Sequence, residues 1–567
     1  MRSPVWPVVT LVAALLGASA PASLARDESE EVRLVLQITV DGLRADLLTR
    51  NIDHLGEGGF RYLLDNGVVF TNAHYRHANT ETIVGHATLA TGAQPAVHGM
   101  LGNVWYDAQA DALSYNVEDP EHLPLPVRAA ASMGEQVDPA QRLARTKGRS
   151  PRALLAETVA DKLLKSSAGR AKVFGISGKD RGAIAMAGQG GKAFWMSTDS
   201  GDFVTTSFYY DTYPPWVAAW NAKREAEDLA EGIWALLDDP ASYAMAHQDD
   251  RPYETDLDGY GRVFPHRFGP SDSKLLYTQV LVSPYGDALL AGFAKALLAG
   301  ESLGDDSTPD YLSVSFSGVD AVNHFFGPAS LETEDMVRQL DRTLAEFFLF
   351  IDHQVGLEHT LIVLSADHGM PEAPEYASSL GVPAGRLLPE AIVTAAQRLG
   401  REAFGLDEVV KFYYRPFLYL RAGHIEAAGL DAETVREELA RRLTRVPGIH
   451  AAVTRSSVGQ LTNRDLAARI RNNLHRDREG DIYIVQEAYW FNFDPGPVAV
   501  MHGSPWNYDT HVPVIFAGGR VAAGVVHRPI QPADVAPTLA ALLGMSAPAS
   551  AQGTVLPEVF RNAQFTY

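Results

Sequence analysis

Five short runs of β-branched and apolar residues stand out along the chain: Leu34 to Val40, Val173 to Ile176, Leu312 to Phe316, Thr360 to Leu364 and Val512 to Phe516. A loop carrying polar residues follows each of them. Near-continuous apolarity over so few positions predicts strands buried on both faces, as in a parallel sheet covered by helices. Helical periodicity lies between them, for example over Thr333 to Ile351 and Ala533 to Leu543. The pattern therefore predicts an α/β fold with a central, mostly parallel sheet sandwiched by helices. In open sheets of this kind ligands gather beyond the carboxyl ends of the strands. Asp41, the Lys179 region, Asp320 and Asp367 all fall there.

The intervals at about residues 104–150, 200–275 and 411–490 read as insertions. The first two are rich in Asp, Pro, Tyr and Trp, with weak periodicity. The third reads as a small α/β lobe, with strands Phe417 to Leu420, His450 to Val453 and Ile482 to Val485 and helices Ala432 to Leu443 and Arg464 to Leu474. There is no internal repeat and no low-complexity linker, so residues 26–567 are expected to form one elaborated domain.

The N-terminus changes the picture of where the protein works. Arg2 precedes an apolar stretch from Val5 to Leu16, and Ser23-Leu24-Ala25 places small residues at the −3 and −1 positions. This is the pattern of an export signal cleaved after Ala25, and it predicts a periplasmic or secreted protein. The run is shorter than the ~20 residues a bilayer span needs, so no stable membrane anchor is expected. The net charge of −21 argues against nucleic acid as the main partner, but leaves room for a small anion in a locally positive pocket. With no cysteine in the chain, disulfides, thiolate metal sites and cysteine nucleophiles are excluded. Any metal must be held by His, Asp, Glu and oxygen donors.

Candidates for such donors recur at the predicted strand ends. Asp320 and His324 stand four apart, on one face if the segment is helical. Asp367-His368 directly follows a strand, Asp41-Gly42 follows another, and His502-Gly503 sits in a loop rich in Gly and Pro. Singly, each has an ordinary explanation as a turn, a cap or a loop histidine. Together, three Asp and three His suit zinc, which takes imidazole nitrogen and carboxylate oxygen. Two such metals would form the clamp used for in-line phosphoryl displacement. The segment Asn79 to Thr88 adds a candidate nucleophile. Asn79 or Thr80 can cap a helix whose first turn holds Thr82, placing its hydroxyl in the field of the helix N-terminus.

In this order, Asp41, Thr82 with Gly85-His86, Asn103 with Trp105-Tyr106-Asp107, Asp320-x-x-x-His324, Ser365-Ala366-Asp367-His368-Gly369 and His502-Gly503 resemble the alkaline phosphatase superfamily, over about residues 33–545. The resemblance implies Asp320, His324 and His502 on one Zn2+, and Asp41, Thr82, Asp367 and His368 on the other. His86 matches a position near the nucleophile that is not a ligand. Gly178-Lys179-Asp180-Arg181 looks like the Lys-x-Arg clamp of the secreted bacterial members with a threonine nucleophile, where both cations and an asparagine, here Asn103, bind phosphoryl oxygens. The related nucleotide pyrophosphatase/phosphodiesterases share the threonine, the metal set and the asparagine. Gly178-Lys179-Asp180-Arg181 is what separates the branches, and a charge count supports the same choice. Two zinc ions bring four positive charges, balanced by three aspartates and a Thr82 alkoxide, and Lys179 with Arg181 then leaves two, matching a phosphate monoester dianion. The expectation is an alkaline phosphatase acting on small phosphate monoesters through a phosphothreonine. A phosphodiesterase is the alternative, and an inactive zinc- or phosphate-binding protein a further one. A monomer is compatible with the sequence, which does not fix the oligomeric state.

Overall fold

Side chains alternate across pleated strands, and here both faces of that alternation are covered. The structure, a computed structural model, describes Met1 and residues 31–126, 136–493, 498–519 and 521–560. Apart from Met1, the predicted export signal lies outside the described residues. Nine strands form the main sheet: β1 (Leu34–Val40), β2 (Val68–His74), β3 (Val173–Ser177), β4 (Lys192–Met196), β5 (Phe203–Val204), β6 (Asp310–Phe316), β7 (Thr360–Ser365), β8 (His511–Gly518) and β9 (Gly524–Val526). Their order is β9-β2-β8-β7-β1-β6-β3-β4-β5. Strands β7, β1, β6, β3 and β4 are mutually parallel.

β8 departs from that direction: it runs antiparallel to both β7 and β2. The run Val512 to Phe516 looks like the parallel strands because its faces are equally covered. Apolarity reports burial and carries no sense of direction.

Leu36, Ile38 and Val40 of β1 join one core cluster together with apolar residues of helices Pro284–Glu301 and Leu331–Gln354. Val35 points the other way and joins a second cluster with apolar residues of Val159–Ser166 and Val535–Leu542. Toward the carboxyl end, β1 and β6 carry the buried polar residues Thr39, Ser313 and Ser315 at alternate positions. Over Ser315 sit two short helices, α1 (Thr82–Thr91) and α2 (Asp180–Ala187). A Cβ at Gly182 of α2 would lie 2.8 Å from Ser177 Oγ and 3.1 Å from Ser315 Oγ, so glycine permits the close seating.

Register then sets the site. β1 pairs with β6 from Leu34↔Asp310 to Val40↔Phe316, and with β7 from Leu34↔Thr360 to Thr39↔Ser365. The three strands end level, so the loops carrying Asp41 and Asp367 and the helix α3 (Gly318–Phe326) leave from one edge.

The small lobe has a four-stranded sheet, Val410–Tyr414, Phe417–Leu420, Ile482–Gln486 and Ile449–Val453 in spatial order, with all neighbours antiparallel. Its core also draws in helix Pro389–Phe404, upstream of residue 411. Among the described residues, no helix is long and apolar enough to cross a membrane.

Candidate functional site

Asp41, Asp320, Asp367, His324, His368 and His502 meet above the carboxyl edge of β1, β6 and β7. All are buried except His324, which is partly exposed. Asp320, His324 and His502 each offer a ligand atom within 4.8 Å of the others, and so do Asp41, Asp320 and His368. Asp320 thus touches both groups, one more than expected. Asp367 adjoins the second group through His368, its Oδ2 3.3 Å from His368 Nε2, while its Oδ1 accepts the Gly42 amide.

The second ring nitrogen of each histidine is already used. Nδ1 of His324, His368 and His502 lies 2.8, 2.8 and 2.7 Å from the carbonyl oxygens of Val500, Gly369 and Thr80. A carbonyl only accepts, so Nδ1 carries the proton and Nε2 can face the site as a ligand. Asp41 Oδ1, Asp320 Oδ1, Asp367 Oδ2 and His368 Nε2 are buried with no hydrogen-bond partner. Each such group costs about 1–3 kcal/mol when left unmade. A donor set of carboxylate oxygens and imidazole nitrogens left open in this way fits divalent cations.

The local charges are strongly interdependent. Lys179 Nζ lies 2.7 Å from Asp41 Oδ2 and also contacts Asp320 Oδ2. Burial and the Asp320 charge push Asp41 up, but Lys179 and His368 outweigh them and hold it at about 2. Burial opposes the charge on Asp320 too, yet His324 and Lys179 hold it well below the usual range. Asp367 is raised by burial and by Asp41. Burial disfavours a charged His368, but Asp367, Asp41 and Asp320 lift it to about 10.

Thr82 is the first residue of α1 and is fully buried. The expected cap by Asn79 or Thr80 is absent: Glu81 occupies the cap position with no side-chain cap hydrogen bond. Thr80 Oγ1 instead donates to the Ser504 carbonyl and accepts the Ser504 amide, at 2.9 and 3.0 Å. Asn79 donates to the Leu101 carbonyl. Both side chains are spent on neighbouring loops. Asn103 supplies the missing acceptor, taking the Ile83 amide on Oδ1 at 3.2 Å. A Cβ on Gly85 would fall 1.9 Å from the Asp367 carbonyl oxygen, so glycine lets α1 lie against the end of β7. His86 holds α1 in place, its Nδ1 donating to the Thr82 carbonyl at 2.8 Å and its Nε2 lying 2.8 Å from Ser315 Oγ.

Arg181 completes the constellation. Its Nη1 donates to Asp138 Oδ2 at 2.7 Å and to Tyr115 Oη at 3.3 Å. Nη2 lies 3.5 Å from Thr82 Oγ1, and Nε has no hydrogen-bond partner. Asn103, Lys179, Arg181, Asp320, His324 and His502 all line one cavity of about 710 Å³. Sequence reasoning missed Asp138, Glu81 and Arg415, which hold Arg181, Asn103 and the His502 loop. Glu81 had a signal, being an acid directly before Thr82; the others lie in the 104–150 and 411–490 segments with no local motif.

The sequence from residue 35 to 505 matches the family described as Type I phosphodiesterase / nucleotide pyrophosphatase. Alkaline phosphatase PhoV of Synechococcus elongatus is 31% identical over 534 residues, covering 93% of this chain and 93% of PhoV. Alkaline phosphatase PafA of Elizabethkingia meningoseptica is 29% identical over 557 residues, covering 97% and 98% of the two chains. The crystal structure of wild-type PafA aligns with a TM-score of 0.85 at 28% identity, over 94% of this chain and 99% of that one. A solved PafA variant replaced at one Thr, one Asn, one Lys and one Arg aligns equally well. Since the family match and these relatives span nearly the whole sequence, the chain belongs to the Type I phosphodiesterase / nucleotide pyrophosphatase family of the alkaline phosphatase superfamily.

Proposed function

We propose that the protein is an exported alkaline phosphatase that hydrolyses phosphate monoesters through a phosphothreonine at Thr82. The observation that carries this reading is Thr82 Oγ1 at the head of α1, 3.5 Å from Nη2 of Arg181, which lines one cavity with Asn103, Lys179, Asp320, His324 and His502. The PafA variant supports it: its replaced Thr–Asn and Lys–Arg pairs are spaced along the chain as Thr82–Asn103 and Lys179–Arg181 are here.

Asn103, Lys179 and Arg181 would bind the phosphoryl oxygens. With Nη1 tied to Asp138, the guanidinium has its Nε/Nη2 edge left for two oxygens at once, the geometry in which arginine binds phosphate best. Thr82 Oγ attacks in line, the Oγ–P bond forming as the ester P–O bond breaks and the alcohol departs. Water then attacks the phosphothreonine, Thr82 Oγ leaves, and inorganic phosphate is released. Zinc ions, held by Asp320, His324 and His502 and by Asp41, Thr82, Asp367 and His368, would supply Lewis acidity at the attacking and leaving oxygens. Export rests on the leader read in residues 1–25.

The family match keeps a phosphodiesterase as the second reading. The monoester reading rests on Lys179 and Arg181 offering two buried cations to one phosphoryl group. Because Arg181 already meets the Asp138 carboxylate, the charge count drawn from the sequence does not by itself separate the two substrates. Turnover of an aryl phosphate monoester and an aryl phosphate diester by zinc-loaded protein separates the two. Preference for the monoester is expected, and a preference for the diester would overturn the proposal.

A further inference from the structure

We infer that Glu81 and Arg415 form a buried strut through which the small lobe positions Asn103 and His502; this rests on the phosphatase reading above. Arg415 lies between the lobe strands Val410–Tyr414 and Phe417–Leu420 and reaches out of the lobe into the main domain. Its Nη2 pairs with Glu81 Oε1 at 2.7 Å, with side chains only 9% and 2% exposed. The other ends of the pair both grip backbone. Glu81 Oε2 accepts the Asn103 amide at 2.5 Å, and Arg415 Nη1 donates to the His502 carbonyl at 2.5 Å. The four residues form one continuous chain from the phosphate clamp to a metal ligand.

The surrounding sequence makes room for it. A Cβ on Gly102 would stand 2.8 Å from Glu81 Oε2, and one on Gly503 would stand 2.9 Å from Arg415 Nη1. Gly503 also holds φ +112, a conformation side-chain-bearing residues rarely adopt. The residue before Asn103 and the residue after His502 are thus glycine where the strut passes. Phe493 lies against the guanidinium, its ring centroid 4.8 Å from the Arg415 central carbon.

A buried ion pair is a poor way to gain stability, since well-packed apolar residues often serve as well. What this pair adds is fixed direction: two charge-assisted bonds to the main chain of two site residues on different loops. Neither Glu81 nor Arg415 has been placed on reacting atoms, so both are positioning residues. Their loss should move Asn103 and loosen the His502 loop, while leaving every proposed ligand and clamp side chain present.

The test is a double-mutant cycle at saturating zinc, with an aryl phosphate monoester as substrate and inorganic phosphate as competitive inhibitor. Arg415→Met should lower kcat/KM by about 10- to 100-fold, the size typical of losing an outer partner of a site residue. Inhibition by phosphate should weaken in step, and zinc should leave faster when a chelator is added. In an Asn103→Ala background the same substitution should cost clearly less than in the wild type, because the part of its effect that runs through Asn103 is already lost and only the His502 arm remains. Arg415→Lys retains the charge but cannot span both acceptors, so it should show an intermediate loss at an unchanged melting temperature; it carries the test if Arg415→Met does not fold. Equal losses in both backgrounds, or wild-type kinetics and zinc retention in Arg415→Lys and Arg415→Met, would overturn the strut. A wild type that ignores the monoester would sink the phosphatase reading instead, whereas normal wild-type turnover with a damaged Asn103→Ala leaves only the strut at stake.

Discussion

Arg181 offers Thr82 one end of a guanidinium whose other end is anchored: Nη2 lies 3.5 Å from Thr82 Oγ1 while Nη1 is fixed on Asp138 at 2.7 Å. Arg181 is 4% exposed, so its charge acts with little screening. Burial works against that charge, but Asp138, Tyr115 and Asp180 hold the guanidinium firmly protonated. Lys179 is held protonated in the same way by Asp320 and Asp41, against the cost of burial.

These two cations should therefore decide between substrates. Lys179→Ala and Arg181→Ala are each expected to lower kcat/KM for an aryl phosphate monoester by 10²-fold or more, the order lost with one transition-state donor. Diester turnover should fall much less, since a diester has only one anionic oxygen to neutralise. Equal damage to both substrates would show that the pair does not distinguish them.

Two threonines flank Glu81, and their surroundings assign them different work. Thr82→Ala should cost several orders of magnitude in turnover, and Thr82→Ser should keep part of it. Thr80→Ala should instead lower stability by about 1 kcal/mol, because its hydroxyl bonds Ser504 rather than capping α1. Protein acid-quenched during turnover should carry phosphate on the peptide containing Thr82. Phosphate on Thr80, or near-normal turnover by Thr82→Ala, would move the chemistry elsewhere.

Metal removal gives a separate handle on the open donors of Asp41, Asp320, Asp367 and His368. Chelation should abolish monoester turnover and zinc should restore it. His324→Ala and His502→Ala should each lose one metal by elemental analysis, with most of the rate. Full activity in a preparation shown to be metal-free would exclude the scheme.

The sequence displayed what is local and withheld what is long-range. The ends of β1, β6 and β7 were legible because strands buried on both faces read as unbroken apolar runs, and the acids after them follow directly. β2 escaped because it is only half buried, its Thr71 exposed and Asn72 and His74 partly so. The lobe strand Val410–Tyr414 escaped because Lys411 interrupts its apolar pattern and Phe412 and Tyr414 are only partly buried. The same limit operates in the site. Asp320 and His324 share one helix, so their spacing shows. Glu81 and Arg415, or Arg181 and Asp138, meet only after separate segments have packed.

Away from the site, a second carboxylate group predicts how stability changes with pH. Glu254 Oε1, Glu332 Oε2 and Asp249 Oδ1 are buried without hydrogen-bond partners, next to the backbone bond from Thr255 to the Phe325 carbonyl at the end of α3. Burial first, and then the Glu332 charge, push Glu254 up to about 9, and the Arg251 amide and guanidinium offset only part of this. Burial and Asp249 likewise raise Glu332 well above the carboxylate range. A carboxyl raised on folding favours the native state while it stays protonated. That contribution is full below the unfolded value of 4.5 and is lost as pH climbs to the folded value of about 9. Glu254→Gln fixes the neutral form. It should leave the melting temperature of zinc-loaded protein unchanged near pH 4, raise it progressively above that, and show its largest gain from about pH 9 upward. Calorimetry of both proteins across this range measures the difference directly. A Glu254→Gln protein that melts below the wild type at pH 9 would show that the native carboxylate is ionised and well partnered there, reversing the sign derived from its burial.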